Sequence, residues 1–128
     1  MKRILILLLS LLSLTGCAAP KRTADSYRQI SMQEAMDMME KEKNYIILDV
    51  RTVAEYESGH IPGAICVPNE TIGTDKIPEL PDKDQLILVY CRSGNRSKQA
   101  SEKLMKLGYT NIVEFGGINS WPGEIVKP

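Results

Sequence analysis

The stretch Cys91-Arg92-Ser93-Gly94-Asn95-Arg96-Ser97 brings a thiol, two guanidinium groups, two hydroxyls and a glycine into seven residues. It follows Leu86-Ile87-Leu88-Val89-Tyr90, an apolar run of the length and continuity of a buried strand. It precedes Ala100, Leu104 and Leu107, whose i, i+4, i+7 spacing marks one face of a helix. Gly94 and Asn95 tolerate unusual dihedral angles, so the loop can curl and aim successive backbone N–H groups inward as an anion-binding nest. The helix that follows adds unpaired N–H groups and the positive end of its dipole. Arg92 and Arg96 add permanent positive charge, and one of them is expected to turn inward while the other meets an anionic substrate or partner. All three effects favour thiolate over thiol and make Cys91 the candidate nucleophile. The same cradle, from Arg92 to Ser97, would hold a persulfide anion on that sulfur. An inert core cysteine is the plainer alternative, but a glycine and two arginines in the next five residues argue against it.

Other chemistry is scarce. Three cysteines are too few for a disulfide framework, and no pair has zinc-finger spacing. A single histidine, His60, argues against a histidine-based metal site. No metal or organic cofactor is implied. The 16 basic and 16 acidic residues cancel, and Lys2 and Arg3 are the only charged residues among the first sixteen. The rest of the chain therefore has a slight acidic excess, which excludes the electrostatic footprint of a nucleic-acid binder. With 128 residues, 43% hydrophobic and 25% charged, the chain suits one globular domain.

The elements that must position Cys91 are legible in outline. Ser31 and Glu34 form a capping-box pattern, followed by a helical stripe of Met32, Ala35, Met36 and Met39 that reads as core filler. Asn44 ends that helix, and Tyr45-Ile46-Ile47-Leu48 is a short buried strand. Thr52 and Glu55 repeat the capping pattern and start a second helix, stopped by Gly59. Ala64-Ile65-Cys66-Val67 is another strand, residues 69–84 are turn-rich with room for one helical turn, and Asn111 to Phe115 is a final strand before Gly116-Gly117. Strands alternating with helices predict an α/β domain with a mainly parallel sheet covered on both faces. In such sheets ligands bind beyond the carboxyl ends of the strands, where Cys91 stands.

The amino-terminal segment reads as an address. Lys2 and Arg3 precede an apolar run from Ile4 to Leu14, about half the roughly 20 residues of a spanning helix. It ends in Leu14-Thr15-Gly16-Cys17, which resembles a bacterial lipoprotein lipobox. The resemblance implies a signal peptide over 1–16 and lipidation of Cys17. It also implies an exported protein, anchored by that lipid and facing the periplasm or the extracellular side. Residues 17–26 are polar and lack periodicity, as a tether would, and the folded domain is expected over 27–128.

Cys91 to Ser97 resembles the active-site loop of single-domain rhodaneses. Asp49-Val50-Arg51, Glu55-Tyr56 and Gly59-His60-Ile61-Pro62-Gly63-Ala64 resemble that family's first signature, and Gly116-Gly117-Ile118-Asn119-Ser120-Trp121 its closing one. The set runs in order from about Tyr27 to Trp121. The resemblance implies a five-stranded α/β domain and a sulfurtransferase. It would move sulfane sulfur from a donor such as thiosulfate, through a Cys91 persulfide, to cyanide or a thiol. Asp49, Arg51, His60 and Trp121 read as mainly structural.

Three competing readings differ in class. A phosphatase or arsenate reductase also uses cysteine in an anion-binding loop. Here, however, four residues separate Cys91 from Arg96 where tyrosine-phosphatase-like enzymes place five, and no general acid is evident in the loop. A non-catalytic persulfide carrier or interaction module on the same fold is the second. The third concerns Cys66, where family members often have asparagine: it is a small buried strand residue or a redox partner of Cys91. Asn69-Glu70-Thr71 and Asn95-Arg96-Ser97 match the glycosylation pattern by chance.

Overall fold

The structure is a computed structural model that describes residues 26–128. The leader, Cys17 and the tether up to residue 25 lie outside the described residues.

Among the described residues five strands and three helices follow in the order β1 (Arg28–Gln29), α1 (Met32–Lys41), β2 (Tyr45–Asp49), α2 (Val53–Glu57), β3 (Ile65–Cys66), β4 (Leu86–Cys91), α3 (Asn95–Lys106) and β5 (Ile112–Gly117). Short 3-10 turns occupy Asn69–Thr71 and Ile118–Ser120. The strands form one sheet in the order β1-β5-β4-β2-β3, and every named pairing is parallel. β4, which delivers Cys91, is central, and its residues Ile87 to Cys91 are all buried.

Side-chain parity divides the core in two. Ile87, Val89 and Cys91 of β4 face one layer with Leu48, Val50, Ile112, Ala100 and Leu104. Leu88 and Tyr90 face the other with Ile47, Val113, Phe115 and Ala35. The α3 helix covers the first face, while α1 and Tyr56 of α2 cover the second, as expected for a parallel sheet buried on both sides.

Both capping boxes form as the sequence predicts. Ser31 and Glu34 close reciprocally at the start of α1, and Thr52 and Glu55 do so at the start of α2. The α1 helix ends earlier than expected, at Lys41 rather than Asn44, and its packed stripe is Met32, Ala35, Met38 and Met39. Leu107 caps α3 and Gly108, at φ 100°, supplies the left-handed residue beyond it. Tyr109 N–H donates to Leu104 and Gly108 N–H to Met105, the two bonds of a Schellman motif.

Candidate active site

Cys91 closes β4 with its side chain on the α3 face, 1% exposed. Gly94 takes φ 114°, which turns the chain back so that its own N–H donates to Cys91 Sγ at 3.0 Å. It is also the residue from which α3 starts. The first N–H groups of a helix have no partner within it, so they begin beside this sulfur.

The loop is held from outside by the end of β5. Val89 pairs with Glu114 and Cys91 with Gly117, so β5 carries one residue more than β4 over that interval. Gly116 absorbs it at φ 98°. This bulge lays Gly117 against the Arg92–Ser93 peptide. A Cβ there would lie 2.0 Å from the Arg92 carbonyl oxygen and 2.6 Å from Ser93 N, so only glycine fits. Asn119 N–H donates to the same Arg92 carbonyl at 3.2 Å.

The seven predicted loop residues come together but divide their tasks. Arg92, Ser93 and Asn95 are exposed at the rim, whereas Gly94 and Ser97 are buried with the sulfur. Neither arginine is turned inward as expected. Arg92 faces solvent, and Arg96 forms a bidentate pair with Glu55 of α2, at 2.7 Å from Nη1 to Oε1 and 3.0 Å from Nη2 to Oε2. The side chain that turns inward is Ser97. Cys91 Sγ lies 3.5 Å from its Oγ, and that hydroxyl in turn donates to the Glu114 carboxylate. Beside the loop opens a cleft of about 360 Å³ whose walls include Ser93, Gly94, Lys98, Glu114 and Ser120.

The Arg96–Glu55 pair ties the loop to α2, and Arg96 also feels the charge of Cys91. Hydrogen bonding to Arg96, against some opposition from burial and with help from Thr52, lowers the Glu55 pKa to about 2. A carboxylate depressed in the folded state stabilises the fold fully above its unfolded value and loses that contribution as pH falls through the folded one. The pair is therefore expected to be intact at neutral and mildly acidic pH and to open only toward pH ~2. Both side chains are partly exposed, which limits its worth to about 1 kcal/mol or less. Urea unfolding of wild type and Glu55→Gln across pH should show a small wild-type advantage at pH 7 that vanishes as pH approaches 2. An advantage that survives at pH 2 would refute the assignment.

Residues read as structural are so placed. Asp49, 0% exposed, accepts from Arg51 Nε and Nη2 and from the Tyr90 hydroxyl at 2.6 Å. Burial opposes the Arg51 charge, but the Asp49 carboxylate outweighs it and the Arg51 pKa rises. Arg51 also donates to the Gly59 carbonyl, and Tyr90 accepts from Ile61 N–H, so the network pins the 59–61 turn to the strand ends. His60 stacks on Tyr56 with ring centroids 3.8 Å apart, and its Nδ1 lies 2.8 Å from the Tyr56 carbonyl. Trp121 packs against the α1 layer and donates to the Glu124 carbonyl.

Cys66 cannot serve as the intramolecular redox partner considered above. It sits on β3 in register with Asp49, while Tyr90 of β4 pairs with Asp49 from the other side. Two strand spacings amount to roughly 9–10 Å, beyond the reach of a disulfide. The register also sends Cys66 to the face of Asp49 and Tyr90, opposite that of Cys91. Burial and Asp49 raise its thiol pKa to about 11, so it is not a nucleophile at neutral pH.

Sequence reasoning missed Glu114, which is 3% exposed. The available signal was an acid in the otherwise apolar strand Ile112-Val113-Glu114-Phe115, since carboxylates are rarely buried without a partner.

Comparison with known proteins bears on this site. The rhodanese-like domain family matches residues 31–124. The thiosulfate sulfurtransferase PspE of Escherichia coli is 37% identical over 71 residues, 56% of this chain and 68% of that protein. A sulfurtransferase of Allochromatium vinosum is 35% identical over 94 residues, 73% of this chain and 86% of its own length. The solution structure of a rhodanese-like domain from the Anabaena protein Alr3790 superposes with a TM-score of 0.71 at 28% identity, covering 80% of this chain and 81% of that one. Some relatives are longer: the chain spans 54% of YrkF, a Bacillus subtilis protein named for sulfur carriage.

Proposed function

Because the chain belongs to the rhodanese-like domain family, we propose that it is a sulfurtransferase whose Cys91 carries the transferred sulfur. The observation that carries the reading is the Cys91 sulfur at the start of α3, accepting the Gly94 N–H at 3.0 Å. Relatives named as sulfurtransferases support it. In the first half-reaction the Cys91 thiolate attacks the sulfane sulfur of a donor such as thiosulfate. The donor's S–S bond breaks, sulfite leaves with its electron pair, and Cys91 holds a persulfide. In the second, cyanide or a thiolate attacks the outer sulfur and Cys91 departs as thiolate. Gly94 N–H and the first turn of α3 stabilise the negative sulfur in both. Arg92 offers positive charge at the exposed rim to an anionic donor, and the cleft beside the loop gives it room.

Mass analysis of the intact chain tests this. Thiosulfate should add one sulfur, about 32 Da, to the Cys91 peptide, and cyanide should remove it. A chain that gains no sulfur under reducing pretreatment would refute the reading. Persulfide carriage to a protein thiol is the second possibility, favoured by the likeness to YrkF. It would appear as loaded sulfur that resists cyanide yet passes to a protein acceptor.

We also propose that the chain is exported and held at a bacterial membrane by lipid on Cys17, on the strength of Leu14-Thr15-Gly16-Cys17 behind a short apolar run. Among the described residues no helix is long and apolar enough to cross a membrane. Cys17→Ser should move the protein from the membrane fraction to the soluble one, and continued membrane retention would refute the lipid anchor.

A further inference from the structure

Glu114 is a buried carboxylate that the sulfur-transfer steps above do not use. It lies on β5 with its side chain on the α3 face, and its Oε2 accepts both the Ser97 hydroxyl and the Gly116 N–H, the latter at 2.9 Å. Ser97, 0% exposed, stands between this carboxylate and the Cys91 sulfur. A serine hydroxyl has one proton to give and can accept in return. Given to Glu114, that proton leaves Ser97 Oγ an acceptor toward the Cys91 thiol, so the three groups form a directed chain from S–H through O–H to carboxylate.

We propose that Ser97 and Glu114 form a proton relay for Cys91, with Glu114 as a positioning residue that stores the thiol proton during sulfur transfer. The inference rests on the sulfurtransferase reading of Cys91. In the forward step the thiol proton passes to Ser97 Oγ as the Ser97 proton passes to Glu114 Oε2. One S–H and one O–H bond break, two O–H bonds form, and no electrons are gained or lost. Ser97 then donates to the thiolate and accepts from the Glu114 acid. The step runs backward when Cys91 is released from the persulfide.

The physical advantage is that charge moves instead of being created. Thiol plus carboxylate and thiolate plus acid both carry one negative charge, so a buried site need not accommodate a second. The charge is shifted onto the sulfur that must attack, under the Gly94 N–H and the start of α3. Other charged and titratable groups around the trio are few. Lys98 of α3 shares the cleft with Glu114, and Tyr27 before β1 has its pKa raised by burial and then by Glu114 and Glu102. Arg96 is coupled to Cys91 but committed to Glu55. Arg28 pairs with Val113 and so stands on the opposite face of the sheet.

The test is the pH dependence of Cys91 alkylation by iodoacetamide in the full chain, read by mass on the Cys91 peptide. Two strongly coupled groups that share one proton titrate in two macroscopic steps. Between them the thiolate share does not change with pH. Wild type should therefore show two rises in rate separated by a flat shoulder at least about one pH unit wide. Glu114→Gln keeps the shape of the side chain but cannot bind the proton, and its profile should collapse to a single rise. Ser97→Ala, which removes the hydrogen bonds joining the two groups, should narrow the shoulder, with far-UV circular dichroism confirming that both variants are folded. A single rise in wild type, a shoulder that persists in Glu114→Gln, or one of unchanged width in Ser97→Ala overturns the relay. Failure to load sulfur from thiosulfate with the shoulder intact would fault the sulfurtransferase reading and leave the proton path standing. Loading with a single rise would fault the relay alone.

Discussion

Cys91→Ser is expected to lower thiosulfate-to-cyanide sulfur transfer by on the order of a thousandfold or more, to the background of the uncatalysed reaction. The argument is chemical before it is structural. A serine hydroxyl is far less acidic and less nucleophilic than a thiol, and an O–S linkage could not carry the sulfur onward as a persulfide does. The fold should hardly notice. Cys91 is buried, and an oxygen at Sγ could still accept from Gly94 N–H and meet Ser97, so the stability change should be about 1 kcal/mol. The check is steady-state thiocyanate formation alongside urea unfolding of the same preparation. A folded Cys91→Ser protein with more than a few per cent of wild-type turnover would exclude Cys91 as the sulfur carrier.

The largest expected loss of stability belongs to Asp49→Ala, at about 3–5 kcal/mol. Asp49 is where four donors meet: Arg51 N–H, Arg51 Nε and Nη2, and the Tyr90 hydroxyl. Removing it strands the charge of an Arg51 side chain that is 6% exposed, with the Gly59 carbonyl as its remaining hydrogen-bond acceptor. A buried charge deprived of its partner is costly because the lost attraction is not replaced by water. Against a typical domain stability of about 5–15 kcal/mol, this removes a large share of the total. Tyr90 immediately precedes Cys91, so sulfur loading should fall with the folded fraction. Urea midpoints for wild type and Asp49→Ala decide the matter. A loss under about 1 kcal/mol would mean that Arg51 finds water or another acceptor once the carboxylate is gone.

What could be read in the sequence was whatever has a local period or a local bond. Ser31 with Glu34 and Thr52 with Glu55 lie three residues apart and close on themselves, so both helix starts were legible. The runs in β2 and β4 were legible because a strand buried on both faces is apolar throughout. The β1 strand was not, because two exposed residues, Arg28 and Gln29, carry no apolar signal and pair through their backbone alone. The same limit applied within the site. Cys91 and Gly94 act over three residues and could be anticipated. The partner of Arg96 is Glu55, 41 residues away, and Glu55 looked fully explained as a cap. Ser97 reads in the sequence as the last residue of the cradle, and its spacing from Ala100 and Leu104 also places it on the buried face of the helix. The fate of Cys66 depended on register, because sheet parity decides which face a strand residue meets.

The order of strands across the sheet has a consequence for how the molecule is made. Among the described residues the first strand, β1, has the last, β5, as its neighbour, with Arg28 opposite Val113 and Gln29 opposite Glu114. An emerging chain can pair β2 with β4 while β5 is still unsynthesised, but β1 has nothing to join until the final strand appears. Closing so long a loop costs entropy before its contacts repay it, so this edge should be among the last parts to assemble. Glu114 reaches its place on the same strand. The sulfur, its hydroxyl and its carboxylate therefore come into line only once β5 has been made, and a nascent chain that stops short of it would hold no finished site.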